Sequence, residues 1–398
     1  LQGVGSLAMF ACVTLIARVV GPGGQGEFST LKAAIDFLAA LALIGLPQSF
    51  LFFLRSQKKT LDACLSIVTV HSVTAGLVVW AWYVLVPSGS VGMSVSGPLV
   101  MGVTVALCVI YGDLRGISLA THSAATFARI SAVPNVVLLV LVAGWLVYGA
   151  GEGSFSGIAG RVVFLGAYAA AVVLVVLIFV PKLGRLTLAN TLADIKDLLP
   201  FSISSWLPSL FQAAAMLLAL KWVGIVVADP DAVGAFGAAA TLVATAATPL
   251  VLSMPLLFKW WVPLEGKSRL REVRISMSFV LGVAVICCIG LLLFDATLVR
   301  FIFGEPYGRY VGLYAVVFVS IVPQAMLRIF SVYCSSCGKP QVSALVECLR
   351  SVVIGAALLI VGRDLMSIAF AWVGGELIGL CACLYFMRAD LLPMRMAP

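Results

Sequence analysis

The chain has 398 residues, of which 62% are hydrophobic and only 11% are charged. Soluble domains have about 45–50% apolar and about 25% charged residues, so the composition excludes a water-soluble fold and a disordered chain. The net charge of +8 is better explained by Lys and Arg in cytoplasmic loops than by nucleic-acid binding. The composition therefore predicts a polytopic membrane protein that does not bind nucleic acid.

Twelve apolar runs are candidate membrane spans, since a helix needs about 20 apolar residues to cross a bilayer. Short polar loops separate the runs, and long alternating strands are absent from the sequence, which predicts an all-α integral membrane fold and not a barrel. The first run lacks a basic lead-in and a small-residue cleavage site, so it is predicted to be a span and not a signal peptide. The runs are residues 2–20, 29–54, 61–86, 98–120, 127–148, 158–180, 201–226, 233–257, 275–296, 310–333, 342–361 and 366–386.

The distribution of positive charge predicts the orientation of these spans. With the N-terminus inside, the predicted cytoplasmic loops carry 14 Lys and Arg and the outer loops carry 3. Cytoplasmic loops are enriched in Lys and Arg, so this bias predicts that both termini are cytoplasmic and that the number of spans is even.

Two short matches indicate a duplication within the chain. Gly26-Glu-Phe, which opens the second span, corresponds to Gly234-Ala-Phe, which opens the eighth, at an offset of 208, and Arg115 corresponds to Arg328 at an offset of 213. These matches predict two pseudo-symmetric six-helix lobes of the same orientation, because six is an even number. The segment from Gly21 to Gly26 follows a helix and has no Lys-Ser/Thr after it, so an ordinary turn is predicted there and not a phosphate-binding loop.

The longest gap between apolar runs, residues 181–200, is predicted to join the lobes. Leu188, Leu192, Ile195 and Leu199 recur on one helix face. This spacing favours an amphipathic cytoplasmic helix at the membrane surface, and a solvent-exposed helix packed on the protein is the alternative. The predicted domains are an N-terminal lobe of residues 1–180, the linker of residues 181–200 and a C-terminal lobe of residues 201–398.

Cations inside the spans are the candidate substrate-binding residues. A cation at the bilayer centre costs roughly 2.5–3.5 kcal/mol, so such residues usually face a cavity or a partner. Arg115 and Arg328 occupy matching places in the two halves and could face each other across a central cavity, whereas snorkelling accounts for Arg129 and Arg161. Arginine suits phosphate because its planar fork makes bidentate hydrogen bonds. The candidates are Arg18, Arg115, Lys221 and Arg328.

The acidic residues in the spans do not cancel this positive charge. Lys32 and Asp36 are four residues apart and are predicted to pair on one helix face. Glu347 and Arg350, three residues apart, are predicted to pair in the same way. The candidate cavity or coupling acids are Asp36, Asp113, which points away from Arg115, and Glu376, which has no partner nearby in the sequence.

The sequence contains no recognisable catalytic constellation. A carboxylate pair, a Ser/His/Asp set and an H-E-x-x-H motif are all absent, so the chain is not expected to be an enzyme. Cys334 and Cys337 have C-x-x-C spacing, but no second pair follows and the only histidines are His71 and His122. Neither a metal nor another cofactor is therefore expected.

Two neighbouring segments resemble polysaccharide flippases. These segments are LIARVVGPGGQGEFS, from Leu15 to Ser29, and FLAALALIGLPQ, from Phe37 to Gln48. The resembling elements are Ala-Arg-x-x-Gly-Pro, Gly-x-Phe and Gly-Leu-Pro, as in the Wzx-like exporters of the multidrug/oligosaccharidyl-lipid/polysaccharide (MOP) superfamily. The specific similarity covers roughly residues 10–55. Over the rest of the chain the resemblance rests on the plan of two six-helix halves. Some members of the family have fourteen spans, whereas twelve are predicted here.

The resemblance implies a V-shaped pair of six-helix lobes that opens alternately to the two sides of a bacterial cytoplasmic membrane. The implied substrate is a polyprenyl-diphosphate-linked oligosaccharide, which is moved from the inner to the outer leaflet for O-antigen, capsule or exopolysaccharide synthesis. Cavity cations would hold the diphosphate, and Arg18 matches the arginine of the family motif. Arg115, Lys221 and Arg328 come from the charge argument alone. The implied partners are membrane lipids, a polysaccharide polymerase and the chain-length machinery.

Two other functions are compatible with a polytopic membrane protein. A cation-coupled multidrug exporter of the same superfamily would use membrane-embedded carboxylates, for which Asp36 and Glu376 are the candidates, but the first span has no acid. A membrane polysaccharide polymerase or ligase usually carries a large periplasmic loop, and the predicted outer loops do not exceed about 15 residues. A flippase is therefore the leading prediction.

Overall fold

The described part of the chain is helical throughout. The computed structural model describes residues 2–55, 59–85, 96–149, 158–179, 191–247 and 256–391, and these contain no strand, which confirms the all-α prediction. The first nine helices are α1 (Gln2–Val19), α2 (Gly21–Leu43), α3 (Leu46–Arg55), α4 (Leu61–Leu85), α5 (Ser96–Thr121), α6 (Ala124–Gly149), α7 (Ile158–Phe179), α8 (Thr191–Val226) and α9 (Pro230–Ala246). The later helices are α10 (Gly266–Leu293), α11 (Asp295–Phe303), α12 (Val311–Phe318), α13 (Ile321–Ser336), α14 (Pro340–Val361) and α15 (Leu365–Leu391), with a 3₁₀ turn at Glu305–Tyr310 between α11 and α12.

Within the described residues, eight helices are long and apolar enough to cross a membrane, or up to ten if each of two bent helix pairs is one span. The bent pairs are α2 with α3, at 46°, and Glu305–Phe318 with α13, at 40°. The apolar part of α1, Gly3–Val19, is shorter than a full span. Helix α9 ends at Ala246, and residues 248–255 of the predicted eighth span lie outside the described residues. A multi-pass membrane fold is thus established, while the count of twelve and the cytoplasmic termini stay predictions.

The second apolar run, predicted as one span over residues 29–54, is a broken helix. Helix α2 ends with Ile44 in the left-handed conformation (φ 46°), and Gly45 also has a positive φ of 71°. A Cβ atom on Gly45 would overlap the carbonyl oxygen of Ser202 in α8. Gly45 therefore permits both the left-handed backbone and the close approach of α8, which explains the glycine of the Gly-Leu-Pro element.

The prediction of a turn at Gly21 to Gly26 is wrong, because α2 begins at Gly21 and continues through the glycines. Pro22 lies in the first helical turn, where its missing N–H has no cost. The glycines allow backbone contact with the start of α9. A Cβ on Gly26 would lie 2.8 Å from the oxygen of Pro230, and one on Gly234 would overlap the oxygen of Pro22.

The described chain divides into two compact units. The first consists of Leu1–Val20 and Glu27–Ala213, and the second of Gly21–Gly26 and Ala214–Pro398. The boundary lies inside α8, which begins at Thr191 and continues to Val226. Residues 181–190 of the predicted linker lie outside the described residues.

In the first unit, small residues bring α4 and α5 together. A Cβ on Gly76 would lie 2.9 Å from the Cβ of Ala106, and one on Gly102 would lie 2.9 Å from the Cβ of Trp80. Helices in a membrane associate through such close packing, because burial of apolar groups away from lipid gives little driving force. The buried apolar residues next to this contact are Ala75, Val79, Val105 and Val109.

In the second unit, α10 is held along one stripe only. Its buried residues recur every three or four positions, and all of them except Cys288 belong to the core that α13 also joins. Ile275, Phe279 and Ile286 on its other sides are exposed. The buried stripe consists of Val273, Met277, Val280, Ala284 and Cys288.

An ion pair fixes Lys59, just before α4, to the start of α8. The Nζ atom of Lys59 lies 2.7 Å from Oδ1 of Asp194 and 2.7 Å from Oδ2 of Asp197. Hydrogen bonds to these two carboxylates raise the pKa of Lys59 above its ordinary value. The stabilisation is therefore complete below the ordinary lysine pKa of about 10.4 and is lost as the pH rises through the higher pKa of the folded state.

Lys59→Ala is expected to lower the melting temperature by about 1–3 °C at neutral pH, since ion pairs that water still reaches contribute little. The difference from wild type should shrink as the pH rises through the pKa of the folded state. Thermal unfolding in detergent, followed across the alkaline range, measures both effects. Lys196→Ala, at an exposed lysine on α8, is the control, and an equal loss in both variants would contradict a specific role for the pair.

Candidate functional site

Arg115 lies on α5 and is directed at α6. Its Nε donates a hydrogen bond to Oγ of Ser131 at 2.9 Å, and its guanidinium carbon lies 5.1 Å from the centre of the Phe127 ring. Ser131 and Phe127 are four residues apart and therefore share one face of α6. The side chain is partly buried, and no carboxylate pairs with it among the described residues. Arg115 is thus a cation inside a span, oriented by neutral contacts and with further N–H donors available.

Arg350 on α14 is the centre of a buried charge cluster in the second unit. Its Nε lies 2.7 Å from Oε2 of Glu347, and its Nη1 lies 2.6 Å from Oε1 of Glu376 on α15. The Glu347–Arg350 pair was predicted from its spacing and is confirmed. Glu376, which has no partner nearby in the sequence, is the second carboxylate on Arg350 and also accepts a hydrogen bond from Gln324 at 3.2 Å.

Arg328 on α13 belongs to the same cluster. It interacts electrostatically with Glu347, Arg350 and Glu376, and its Nε has no hydrogen-bond partner among the described residues. Two arginines and two glutamates have no net charge when all are ionised. The cluster is therefore close to electrically balanced, unlike the surroundings of Arg115.

The other two candidate cations are more exposed than Arg115 and Arg328. Arg18 on α1 and Lys221 on α8 are exposed, whereas Arg115 and Arg328 are partly buried. Lys32 and Asp36 form the predicted ion pair across one turn of α2, which confirms that prediction. The contacts of Asp36 are therefore local.

Asp113 on α5 points toward α4, away from Arg115, as predicted. Its Oδ2 lies 2.8 Å from Nδ1 of His71, and the Asp113 side chain is completely buried. The other ring nitrogen, Nε2, lies 2.7 Å from the carbonyl oxygen of Ala42 at the end of α2. Sequence reasoning did not assign His71 to a site, although an ionisable residue in the middle of an apolar run is itself a signal of function.

The structure therefore brings Arg328 and Glu376 together, whereas Arg115 and Asp113 share a helix but contact different neighbours. Acids and bases are compensated in pairs at three places: Lys32 with Asp36, His71 with Asp113, and Arg350 with its two glutamates. Because charges buried without compensation are costly in a membrane, this pairing explains how the spans tolerate them.

The fold is that of multi-pass transporters of the MOP superfamily. The lipid II flippase MurJ, in an inward closed conformation, superposes with a TM-score of 0.73 at 11% identity, covering 96% of this chain and 86% of MurJ. The MATE multidrug transporter DinF-BH gives a TM-score of 0.73 at 15% identity, covering 98% and 94% of the two chains. An inward-facing multidrug resistance MATE transporter gives 0.71 at 15% identity, covering 98% and 94%.

No protein-family model and no curated protein matches the chain. At these identities the structural likeness shows the fold alone, and that fold is shared by transporters of drugs and of lipid-linked substrates. The structural neighbours are transporters and not enzymes. The predicted MOP-like fold is thus supported.

Proposed function

We propose that the chain is a flippase that moves a polyprenyl-diphosphate-linked oligosaccharide from the inner to the outer leaflet of a bacterial cytoplasmic membrane. The observation that carries the proposal is Arg115, a guanidinium inside a span that contacts Ser131 and Phe127 but no described carboxylate. A diphosphate supplies the negative charge and the paired acceptor oxygens that a guanidinium binds best. The fold of a lipid II flippase among the neighbours agrees with a lipid-linked substrate.

The pairing of the span acids argues against a cation-coupled multidrug exporter. A transporter of cationic drugs needs a carboxylate whose charge is available to its substrate. Here Asp36 is bonded to Lys32, Asp113 to His71, and Glu376 to Arg350. The uncompensated charge among these contacts is the positive charge of Arg115, which favours an anion.

In the proposed mechanism, the N–H groups of Arg115 that Ser131 leaves available bind the diphosphate while the lipid tail stays in the bilayer. Arg18, Lys221 and Arg328, the other cations nominated from the sequence, stay candidates for substrate binding. Transport follows if the inward-open and outward-open states offer the diphosphate different contacts, because a ligand shifts an equilibrium only through its differential affinity. A polysaccharide polymerase would then consume the flipped product.

The test is flipping of a fluorescent polyprenyl-diphosphate-linked saccharide in proteoliposomes. Arg115→Gln is expected to lower the initial rate about tenfold or more, since a hydrogen bond to a charged group contributes about 1.5–3 kcal/mol. Arg115→Lys should keep part of the rate, because the charge remains while the bidentate geometry is lost. Arg129→Gln, at an exposed arginine on α6, is the matched control and should stay within about twofold of wild type.

A cationic dye is measured in the same vesicles as the competing substrate. Export of the dye without flipping of the diphosphate lipid would reject the flippase and support the drug exporter. Equal rates for wild type and Arg115→Gln would show that this arginine does not bind the substrate. Transfer of saccharide onto an acceptor by the purified chain would instead indicate a polymerase or ligase.

A further inference from the structure

The break in α2 leaves carbonyl groups that two side chains from other helices satisfy. The last carbonyls of a helix have no partner within it, and in a membrane each unsatisfied group is costly. Nε1 of Trp206 in α8 donates to the oxygen of Ala40 at 2.7 Å. His71 in α4 caps the oxygen of Ala42 at 2.7 Å through Nε2. The end of α2, just before the left-handed Ile44, is therefore held by a tryptophan and a histidine.

The histidine cap requires a proton that the tryptophan cap does not. A carbonyl oxygen only accepts hydrogen bonds, so Nε2 of His71 must carry a hydrogen to bond Ala42. The second contact, 2.8 Å between Nδ1 and Oδ2 of Asp113, needs another proton, which we place on Nδ1 because imidazole is a stronger base than a carboxylate. With both protons present the His71–Asp113 pair is neutral overall and both contacts are made.

Removal of one proton breaks this arrangement. A neutral imidazole has a single N–H, so beside an ionised Asp113 it can donate to the carboxylate or to Ala42, but not to both. If Nδ1 keeps the proton, the lone pair of Nε2 faces the lone pairs of the Ala42 oxygen. If Nε2 keeps it, the lone pair of Nδ1 faces the carboxylate. Deprotonation therefore costs one of the two contacts that join α2, α4 and α5.

The surrounding helices offer no second cation to this pair among the described residues. On α2 Asp36 is bonded to Lys32, and on α8 Asp194 is bonded to Lys59. Arg115 of α5 is directed at α6. Other ionisable groups on these helices include the buried thiols of Cys64 on α4 and Cys108 on α5, the exposed Arg55 at the end of α3, and Tyr168 on α7, which contacts Tyr111. The same helices also carry Glu27, Asp62, Tyr83, Arg161, Lys196, Asp197 and Lys221.

We infer that His71 and Asp113 form a proton-binding site whose occupancy controls the hydrogen bond at the end of α2. The ligand is a proton, and the responding element is the bend between α2 and α3. The site couples proton binding to a hinge in a transport protein, so its use in transport rests on the proposed function. Proton binding itself does not depend on which substrate is moved.

The chain allows this site to be observed directly, because it has only two histidines. In a His122→Gln background, ¹⁵N-histidine NMR of the protein in lipid nanodiscs reports the protonation of His71 alone. We expect a change from two protonated ring nitrogens to one within about pH 5–9. Asp113→Asn should displace this change by about one pH unit or more, because the neighbouring carboxylate is lost.

Hydrogen–deuterium exchange across residues 40–46 reports the hinge. After correction for intrinsic chemical exchange, we expect faster exchange at the pH where His71 loses its proton. His71→Gln removes the titrating group but keeps an amide donor for Ala42, so its exchange should no longer follow pH. The inference would be overturned if His71 kept one protonation state over the whole pH range. It would also be overturned if the exchange rate in wild type did not change with the protonation of His71.

Flipping in proteoliposomes with an imposed pH gradient tests the use of the site in transport. Wild type is expected to change its rate about fivefold with the gradient, whereas His71→Gln should not respond. If wild type flips the diphosphate lipid at a rate that does not change with the pH gradient, the proposed coupling is overturned. A wild type that flips no lipid would reject the proposed function, while the NMR and exchange results would still decide the proton site.

Discussion

Gly234→Ala is expected to lower the free energy of unfolding by about 3 kcal/mol or more and to abolish most of the folded yield. The new methyl group would overlap the carbonyl oxygen of Pro22, and this neighbour is backbone that no rotamer change can move. The start of α2 would have to separate from α9. Folded yield by size-exclusion chromatography and thermal unfolding in detergent are the measurements.

Gly290→Ala on α10 is the matched control, because the position of its Cβ is open space. There the same substitution should be neutral or stabilising by up to about 1 kcal/mol, since alanine is the better helix former. Equal losses at Gly234 and Gly290 would indicate a general effect of removing glycine from the helices and would contradict the close contact.

Arg350→Ala is expected to destabilise the chain by about 3–5 kcal/mol, because it leaves two carboxylates without their partner in a buried site. The exposed fractions of the Arg350 and Glu376 side chains are 3% and 0%, so water cannot replace the lost contacts. Lys32→Ala, which breaks the half-exposed pair with Asp36, should cost no more than about 1 kcal/mol. Thermal unfolding of both variants gives the comparison.

Removal of the whole charge set tests the reason for this effect. Arg350→Met combined with Glu347→Gln and Glu376→Gln should recover much of the stability, since replacing a complete buried ion pair is often close to neutral. If the triple variant were as unstable as Arg350→Ala alone, packing of the arginine stem and not the unpaired carboxylates would explain the loss. A stable Arg350→Ala would contradict both explanations.

Local spacing in the sequence was sufficient to predict contacts within one helix. The Lys32–Asp36 and Glu347–Arg350 pairs follow from neighbours three or four residues apart lying on the same face. Arg350 with Glu376 could not be predicted in this way, because they lie on different helices, and no pattern in the apolar runs says which helices are neighbours. His71 with Asp113, 42 residues apart, is missed for the same reason.

The break in α2 did have a signal in the sequence. A glycine just beyond a helix end followed closely by a proline is typical of helix termination, and Gly45-Leu-Pro has this form. The uninterrupted hydrophobicity of residues 29–54 nevertheless predicts one span, because a bilayer-length apolar run does not record how its helix bends. The glycines from Gly21 to Gly26 gave the opposite error. They predict a turn, but the segment is helical, and the lack of side chains there allows α2 to contact α9 closely.

The single buried stripe of α10 has a consequence for the lipid around the protein. Between Arg274 and Asp295 there are 20 consecutive uncharged residues, and 19 of them lie in α10. At 1.5 Å per residue this stretch spans about 30 Å. This length matches the hydrocarbon core of an ordinary bilayer, about 30 Å thick. A thicker or thinner bilayer creates a hydrophobic mismatch that a helix relieves by tilting. Because the buried residues of α10 lie along one stripe, a tilt of this helix disturbs few buried contacts, so we expect acyl-chain length to affect its orientation.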